Sequence, residues 1–427
     1  MSASEGITAE SANIFSSFYS FSLGSDGKDV IFGNYAGAAA SLGNWAEEVG
    51  VDLRPNFIRA TRLYDRVRGR LPQDVADRGE MQLILIMGME DPEKIAQAES
   101  QFISEQALAA MNAQHNIQGK KRDTLNKRNQ DRRANSRQAP SAGYAEAENR
   151  VWVGGFGAWN SQKNRDNVFG YDYNAGGVML GYERELQNGL TLGLNGSWSS
   201  GKLKSNNGLD ETDIKTFGLG LYASYEFGGG FFLDGSLGYG YADNEADFNL
   251  IIGGRKKSDF TSNSFTAGLN FGYSAQLGAA TYLTPSLGLQ YTHIKQNGWQ
   301  EKIVSDPHNA VVANWFGDSK QNFLEIPLNL KLETTIETNG GIQVSPELRV
   351  GGIIAANKPK SELRMGFVGS SDSMTIHGID PGQSRFTAGA GLKVQLNDTV
   401  DVFAGYDLEA KSGYKGHQAT AGLGFSF

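Results

Sequence analysis

The sequence predicts an all-β transmembrane barrel of about twelve antiparallel strands, preceded by an α-helical segment that runs through the pore. The first observation is an alternation of apolar with small or polar residues, which continues from Val151 to Phe427. Within residues 265–277, Phe, Ala, Leu and Tyr fall on one face, and Ser, Thr, Gly, Asn and Gln fall on the other. Since about 9–11 residues cross a bilayer as a tilted strand, this stretch is long enough to span one.

The composition agrees with a barrel. The chain contains no Cys, so disulfide and thiolate chemistry are excluded. Its 55 Gly suit the inner face of a barrel, where space for side chains is limited. The mean hydropathy of −0.39 is compatible with a membrane location, because a barrel strand shows lipid only half of its residues. The longest mostly apolar run, residues 81–89, is too short for a spanning helix and is expected in a soluble core. A net charge of −8 argues against nucleic-acid binding.

Turn lengths provide the second observation and predict the topology. Short Gly- and Asn-rich connections occur at residues 187–189, 228–230, 278–280, 339–341 and 397–399. The other connections are longer, notably residues 301–320 and 357–383. Short turns of outer-membrane barrels face the periplasm, so both barrel ends are expected there, with an even strand number. Aromatic residues near strand ends are expected in a girdle at the lipid interface: Trp159, Trp198, Tyr241, Tyr291 and Trp299. A soluble β-sandwich is the alternative.

The upstream region has a different character, and no fold can be named for residues 1–90. Residues 56–71 show a helical pattern, and Asp91-Pro92-Glu93 predicts a helix start. A long helical pattern follows over residues 95–111, and Gly119 is a candidate interruption. Residues 1–19 are polar and lack a basic start, so the chain is expected to be a C-terminal piece of a longer precursor or to have an artificial start. A cytoplasmic all-β protein without a signal is the alternative.

A strongly basic run precedes the barrel. Only Asp123 and Asp131 oppose its cationic residues, which are Lys120, Lys121, Arg122, Lys127, Arg128, Arg132, Arg133 and Arg137. Residues 139–143 then indicate a linker into the first strand. The run is compatible with a solvated linker, with nucleic-acid binding or with a helix inside the barrel. Nucleic-acid binding has little support, because no aromatic residues interleave the charges.

The alternation also places acids on the inner face of the barrel. The inward acids are Glu226, Asp234, Glu325, Glu333, Glu347, Asp401, Asp407 and Glu409; the inward bases are Lys331, Arg349 and Lys393. An acidic lumen inside a low-dielectric wall attracts a cationic helix, and a helix about 10 Å across can enter a barrel of this size. The predicted pore-helix residues are Lys127, Arg128, Arg132 and Arg133. The lumen acids expected to hold them are Glu325, Glu347, Asp401 and Asp407.

The order of helix, basic segment, linker, barrel and terminal Phe resembles the translocator domain of type V autotransporters. Within it, Leu125-Asn126-Lys127-Arg128 followed by Asp131 is similar to the pore-helix motif of the serine-protease autotransporters of enterobacteria. Later landmarks also resemble the family, and these are Gly157-Ala158-Trp159, GLGLYA at residues 218–223, and Asp243-Asn244-Glu245. The resemblance covers residues 118–427. It divides the chain into a passenger remnant (1–117), a pore helix with linker (118–143) and a barrel (144–427).

One departure from that protease-carrying group concerns self-cleavage. In the group, two consecutive Asn precede the Leu-Asn-Lys-Arg motif, and the chain cuts itself there by Asn cyclisation inside the barrel. Asp123 and Thr124 occupy those positions here, and neither carries the amide nitrogen that acts as nucleophile. Thr284, Ser286 and Gly288 occupy the positions expected for the lumen acids of the seventh strand. Self-cleavage is therefore not expected.

The resemblance implies a bacterial outer-membrane protein that exports an N-terminal passenger to the cell surface. It also implies contact with outer-membrane lipid, the barrel assembly machinery and periplasmic chaperones. The last strand carries an outward apolar row and ends in Phe, and it resembles the strand that the assembly machinery reads as an added strand. The residues expected to form this assembly signal are Leu423, Phe425 and Phe427.

Two other classes of function remain open. A channel or porin needs a hydrated lumen, so removing residues 118–143 should separate it from a plugged translocator. A barrel enzyme needs a His paired with Ser or Asp near the rim, and no such spacing surrounds the five His, which are His115, His293, His308, His377 and His417. No catalytic residue, metal cluster or cofactor site is predicted, and Gly24-Ser25-Asp26-Gly27-Lys28 lacks the spacing of a phosphate loop.

Overall fold

The computed structural model describes residues 19–23, 30–35, 38–136, 148–186, 189–338, 340–381 and 384–427. Two short antiparallel strands come first, β1 (Tyr19–Leu23) and β2 (Val30–Tyr35). The helices that follow are α1 (Ala38–Val49), α2 (Pro55–Val67), α3 (Gln73–Met87), α4 (Pro92–Phe102) and α5 (Ala109–Ser136). Within the described residues, no helix combines the length and the apolar character needed to cross a membrane.

The strands after α5 form a closed barrel and a small outer sheet. They are β3 (Glu148–Gln162), β4 (Tyr171–Glu185), β5 (Leu190–Ser205), β6 (Asp210–Glu226), β7 (Phe231–Asn249), β8 (Arg255–Tyr273), β9 (Ala275–Gln276), β10 (Thr281–Gln296), β11 (Trp299–Gln300), β12 (Lys302–Ser305), β13 (Asn314–Phe316), β14 (Ser319–Thr334), β15 (Ile336–Glu337), β16 (Gln343–Ala355), β17 (Glu362–Phe367), β18 (Met374–His377), β19 (Arg385–Gln395), β20 (Val400–Lys411) and β21 (Tyr414–Ser426).

Twelve of these strands pair in the ring β3-β4-β5-β6-β7-β8-β10-β14-β16-β19-β20-β21, and β21 closes on β3. Every pairing in the ring is antiparallel, so the predicted fold class is confirmed. The predicted alternation is also observed in β8, where Phe265 and Leu269 are exposed and Ser264 is buried. The outward apolar residues form the lipid-facing surface, and the inward residues line the lumen.

The two ends of the barrel differ, although not simply in loop length. Asn149 and Phe427 exchange two main-chain hydrogen bonds, so the first and last strands meet at the end that carries the short turns. At the other end, the β5–β6 connection (206–209) and the β7–β8 connection (250–254) are also short. The prediction of uniformly long outer connections is therefore wrong. The extra residues lie in the strands themselves, since β7 and β8 are each 19 residues long and exceed the span of a bilayer.

The β10–β14 and β16–β19 connections are the longest of the outer connections, and their described residues include short strands. They contribute β11, β13, β17 and β18, which form a separate four-stranded sheet above the barrel. Trp299 on β11 is buried and stacks between Phe260 and Phe316, with ring centroids 4.3 and 4.7 Å away. Its predicted place in the lipid-facing girdle is wrong, because this sheet covers it. Trp159 and Trp198 are exposed on the outer face, as predicted.

The upstream helices begin as predicted in two places and differ in two others. Helix α2 covers residues 55–67, which is most of the pattern predicted over residues 56–71, and the Asp91 carboxylate caps α4 by accepting from the Glu93 amide at 2.9 Å. The single helix expected over residues 95–111 is broken, because Ser104 adopts a φ of 49° between α4 and α5. Gly119 does not interrupt α5, which is continuous through it.

Helices α1–α4 and the 3-10 turn Glu105–Leu108 together form a cap over the outer end of the barrel, comprising residues 38–108. Apolar side chains of the cap and of the outer loops share one hydrophobic cluster. The run at residues 81–89 lies mostly in α3, where Leu83 and Ile86 are fully buried in this cluster. The pore helix starts at Ala109, and the first barrel strand starts at Glu148. The predicted linker at 139–143 and Arg137 lie outside the described residues.

Candidate functional site

Helix α5 occupies the lumen. Its 28 residues extend over about 42 Å at about 1.5 Å per residue, so it is longer than the hydrocarbon core of a bilayer. It begins beneath the cap at Ala109 and ends near the short-turn end of the barrel. Nearly every side chain assigned along it from Ala109 to Arg133 is buried or half-buried, because the helix is surrounded by the barrel wall. The helix is therefore stabilised by contacts with the wall on all its sides, and not by burial of a single apolar face.

Arg128 lies at the centre of the charged part of the lumen. Its guanidinium donates to Asp401 at 2.8 Å and to Glu183 at 3.3 Å, and all three side chains are almost fully buried. Tyr222 donates to Glu183 at 2.8 Å, and Trp152 donates to the Tyr222 hydroxyl at 2.9 Å. Glu183 thus accepts hydrogen bonds from both the helix and the wall, and Asp401 accepts from the helix, as buried charges require.

Arg132 and Arg133 make the next layer toward the short-turn end. Arg132 lies 3.2 Å from Glu185 and 3.3 Å from Glu226. Arg133 donates to Asp234 at 2.6 Å, and its guanidinium also lies over the Phe232 ring. Both arginines are fully buried, although Glu185 and Glu226 are partly open to solvent. Sequence reasoning missed Glu183 and Glu185, which share the inward parity of Met179 on β4.

The predicted lumen acids differ in whether their cationic partners lie on the helix or on the barrel wall. Glu325 lies 3.5 Å from His115 and 3.8 Å from Arg122, and it also pairs with Arg385 of the wall. Lys127 lies 3.9 Å from Glu347 and donates to a main-chain carbonyl of β20 at 2.8 Å.

Asp407 is an exception among these acids. It accepts from Arg349 at 2.6 Å, and none of its ion pairs in the described part of the chain reaches α5. The expectation that Asp407 holds the helix through an ion pair is corrected accordingly, because the neighbouring wall Arg349 lies closer.

Apolar contacts also pack the helix against the wall in the outer half of the lumen. We use the term collar for Ala113 and Ile117 of α5 together with the wall residues that pack on them, which are Phe156, Tyr171, Tyr173, Leu203, Ile214 and Ala242. Just beside it, Met111 packs with Ile294 and Phe323, and the His115 ring stacks on Phe323 at 3.7 Å. Sequence reasoning missed the collar, although apolar residues at inward positions of β4, β5 and β6 were its signal.

The helix lies closer to one side of the lumen than to the other. Leu125 packs into a cluster with Trp152, Met179 and Tyr222. Toward β10, β14 and β16 a cavity of about 100 Å³ remains, and its lining includes Asp123 and Lys127. A polar cavity of this size accommodates a few water molecules but no transported chain.

A family model for the autotransporter beta-domain matches residues 151–407, which is more than half of the chain. The chain belongs to the autotransporter β-domain family. Membership confirms the predicted outer-membrane location and the predicted class of domain, an autotransporter translocator barrel. The match ends before the last strand, β21, although β21 completes the barrel in the structure.

Curated relatives of this autotransporter domain are longer proteins. An extracellular serine protease of Serratia marcescens is 24% identical over 348 residues, which is 80% of this chain and 32% of that protein. Outer membrane protein B of Rickettsia typhi is 21% identical over 291 residues, or 65% of this chain and 17% of that protein. An uncharacterized protein YaiT of Salmonella typhimurium is 28% identical over 139 residues, or 32% of this chain and 14% of that protein. The chain thus spans about a third or less of these relatives.

The translocator domain of the autotransporter NalP from Neisseria meningitidis is similar in structure. It superposes with a TM-score of 0.56 at 15% identity, and the match covers 77% of this chain and 99% of that domain. At this identity the likeness shows the fold alone.

Two further features of the autotransporter domain concern the predicted cut and the predicted assembly signal. Asp123 and Thr124 lie within continuous helix, where the Thr124 hydroxyl donates to the Lys120 carbonyl at 3.0 Å. Phe425 of β21 and the terminal Phe427 are exposed on the outer face, as is expected of residues that meet lipid. Leu423 is half-buried opposite Val153 of β3.

Proposed function

We propose that this domain carries an N-terminal passenger through the outer membrane and then keeps α5 in the lumen as a plug, with the passenger still attached. The pore-helix residues that hold the plug are Lys127, Arg128, Arg132 and Arg133. The observation that carries the proposal is the buried Arg128, whose guanidinium meets Asp401 and Glu183 of two different strands. The barrel itself has no catalytic role in this proposal.

The energetics of buried ion pairs support a stable plug. Removing one partner of such a pair leaves an uncompensated charge, which costs about 3–5 kcal/mol. Arg128, Arg132 and Arg133 each have partners on the wall, so withdrawal of α5 would leave several charges unpaired at once. Exposed pairs add less, since Glu185 and Glu226 are partly solvated.

Retention of the passenger follows from the chemistry at residues 123 and 124. Neither Asp123 nor Thr124 carries a side-chain amide, and both lie within a regular helix. The junction between cap and barrel therefore stays covalently intact, and the domain acts as an anchor.

Assembly of the barrel requires partners in the periplasm. The proposed partners are periplasmic chaperones and the barrel assembly machinery, which would pair with β21 as an added strand and read Leu423, Phe425 and Phe427. The outward position of Phe425 and the antiparallel seam between β21 and β3 support this proposal, because the last strand presents an unpaired edge until β3 closes the ring.

An epitope tag fused before residue 1 tests the proposal in cells. We expect the tag to be labelled by antibody on intact cells and to fractionate with the outer membrane as part of one chain with the barrel. A tag found only in the periplasm would overturn the export role. A tag released into the medium would overturn the anchor role alone.

A further inference from the structure

The cap and the outer loops bury their apolar residues in one hydrophobic core. Phe102 of α4 lies edge-on to Phe57 of α2 at 5.5 Å and to Phe367 of β17 at 5.6 Å. Val311 and Met365 of the loops are fully buried in the same cluster. Since neither set is covered without the other, separation would expose apolar surface on both sides.

The barrel wall and an outer loop share a buried ion pair, and its lysine also donates hydrogen bonds to the cap. Lys256 of β8 lies 2.9 Å from Glu301, and both side chains are 0% exposed. The Lys256 ammonium also donates to the Ser104 hydroxyl at 2.7 Å and to the Gln101 carbonyl at 3.2 Å, both in the cap. Removal of the cap would deprive this buried ammonium of two of its acceptors, which carries a large cost for a charged group.

Further polar contacts attach the cap to loops at other points of the mouth. The Asn56 side chain exchanges two hydrogen bonds with the main chain of His377, at 2.6 and 3.0 Å. The Arg54 guanidinium donates to the Asn167 carbonyl at 2.7 Å and lies over the Phe169 ring at 4.5 Å. The β3–β4 and β16–β19 connections are therefore both bound to the start of α2.

We propose that the cap is an outer latch of the translocator, which folds only against the outer loops of the assembled barrel and then closes the mouth and holds the chain outside. The latch rests on the proposed export function and deepens it. The cap precedes α5 in the chain, so it must leave the lumen before α5 takes its final place. A docked group of helices, each about 10 Å across, cannot return through a lumen that one helix fills. Docking of the cap thus makes the last step of export directional.

The latch is tested in the full chain by substituting residues of the barrel wall and measuring how accessible the cap becomes. The double variant Lys256→Met with Glu301→Gln removes the buried pair without leaving a lone charge. The matched control is Lys302→Met with Asp259→Asn, which removes an exposed pair 3.4 Å long from the same wall. Because the chain has no Cys, Ala107→Cys, at a buried site within the cap, is a single-thiol reporter in every variant.

On intact cells, a membrane-impermeant maleimide should label the reporter about ten-fold or more faster in the buried-pair variant than in the parent, the ratio expected for loss of a charged hydrogen bond. Trypsin should cut at the exposed Arg59, Arg62 and Arg66 of α2 in that variant and not in the parent. The exposed-pair control should behave like the parent. Gln101→Ala, a change within the cap, should give the same labelling as the wall variant, since Gln101 bonds Asp210 and the amide of Ile251.

Heat-modifiable migration of each variant shows that its barrel has folded before the labelling is read. The latch is overturned if the cap in folded wall variants and in Gln101→Ala stays as protected as in the parent. It is also overturned if the exposed-pair control opens the cap equally. A surface epitope before residue 1, measured in parallel, reports export separately. If the epitope reaches the surface but protection of the cap does not depend on the outer loops, the latch proposal is wrong and the proposed export function stands.

Discussion

Arg128 of α5 donates to Asp401 of β20 over 2.8 Å, with both side chains almost completely buried. The same guanidinium reaches Glu183 on β4, and β4 and β20 flank the pair β3–β21 that closes the barrel. One helix side chain therefore connects the two strands on either side of the seam. The plug and the closure of the barrel are energetically coupled through this residue.

Charge reversal of the pore helix should open its inner half. Changing Arg128, Arg132 and Arg133 to Glu replaces attraction by repulsion against Glu183, Asp234 and Asp401, so conductance in planar bilayers should rise. The summed field matters more than any exposed pair. The matched control reverses Arg59, Arg62 and Arg66, which are exposed on α2, and produces the same change in net charge. A reversed protein that stays as closed as the parent would show that electrostatics does not hold the plug.

The collar predicts that charge reversal alone opens the lumen incompletely. Ile117 is 1% exposed among aromatic wall residues, so Ile117→Asp buries a charge there without a partner. Added to the triple reversal, it should raise conductance further and release the outer half of α5. Asn116→Asp adds the same charge at a half-buried neighbour and should change conductance less. Equal effects of the two substitutions would remove the collar as a separate seal.

The barrel and the charged lumen could be predicted from the sequence because both depend on a period of two. Alternation identifies which side chains face inward, and it assigns Asp401 and Glu325 to inward positions, where both side chains are buried. The same parity applies to Glu183 and Glu185, so those acids were available to sequence reasoning and were overlooked. Alternation does not identify the cation that an inward acid contacts. For this reason the pairing of Asp407 with Arg349 of the wall could not be predicted.

The cap could not be predicted because its determinants are distant in sequence. The helical pattern over residues 95–111 is interrupted where Lys256 binds Ser104 and where Asn314 donates to the Phe102 carbonyl. Trp299 is buried for a similar reason, since the outer sheet covers it. Local propensity contains no information on these contacts.

The purified chain should be a detergent-soluble, heat-modifiable β-barrel. Its ring of twelve strands leaves many large outward side chains exposed, Leu219 and Leu269 among them, and these require lipid or detergent. Circular dichroism in detergent should be dominated by β-structure, and the unheated protein should migrate differently from the boiled one. A cooperative, soluble monomer in the absence of detergent would contradict this prediction.

The chain should not cut itself inside the barrel. Asp123 and Thr124 lack the amide nucleophile, so expression in an outer membrane should leave one full-length band. Introducing Asn at both positions supplies the missing nucleophile and tests whether the lumen itself can promote cyclisation. An efficient cut of the parent at 123–124 or 124–125, located by mass spectrometry, would show that another chemistry operates.

Two buried carboxyls should make docking of the cap sensitive to pH. Burial raises the pKa of Glu99 to about 7 from its usual value near 4.5, although the Arg54 amide and charge oppose the shift. Burial also raises the pKa of Glu105, against the Arg54 charge. Protonation therefore favours the docked cap, and the stability it confers is complete below about pH 4.5 and is lost as the pH rises through 7.

The urea midpoint for opening of the cap, read by pulse proteolysis, should accordingly be higher at pH 5.5 than at pH 8. The free energy of opening should differ by roughly 1–3 kcal/mol between the two pH values, because one unit of pKa shift corresponds to about 1.4 kcal/mol. Glu99→Gln keeps the shape of the side chain and removes its titration, so most of the dependence around pH 7 should disappear. Glu93→Gln, at an exposed position of the same helix, should leave the dependence unchanged. A midpoint that rises from pH 5.5 to 8 would reverse the sign and rule out Glu99 as the controlling group.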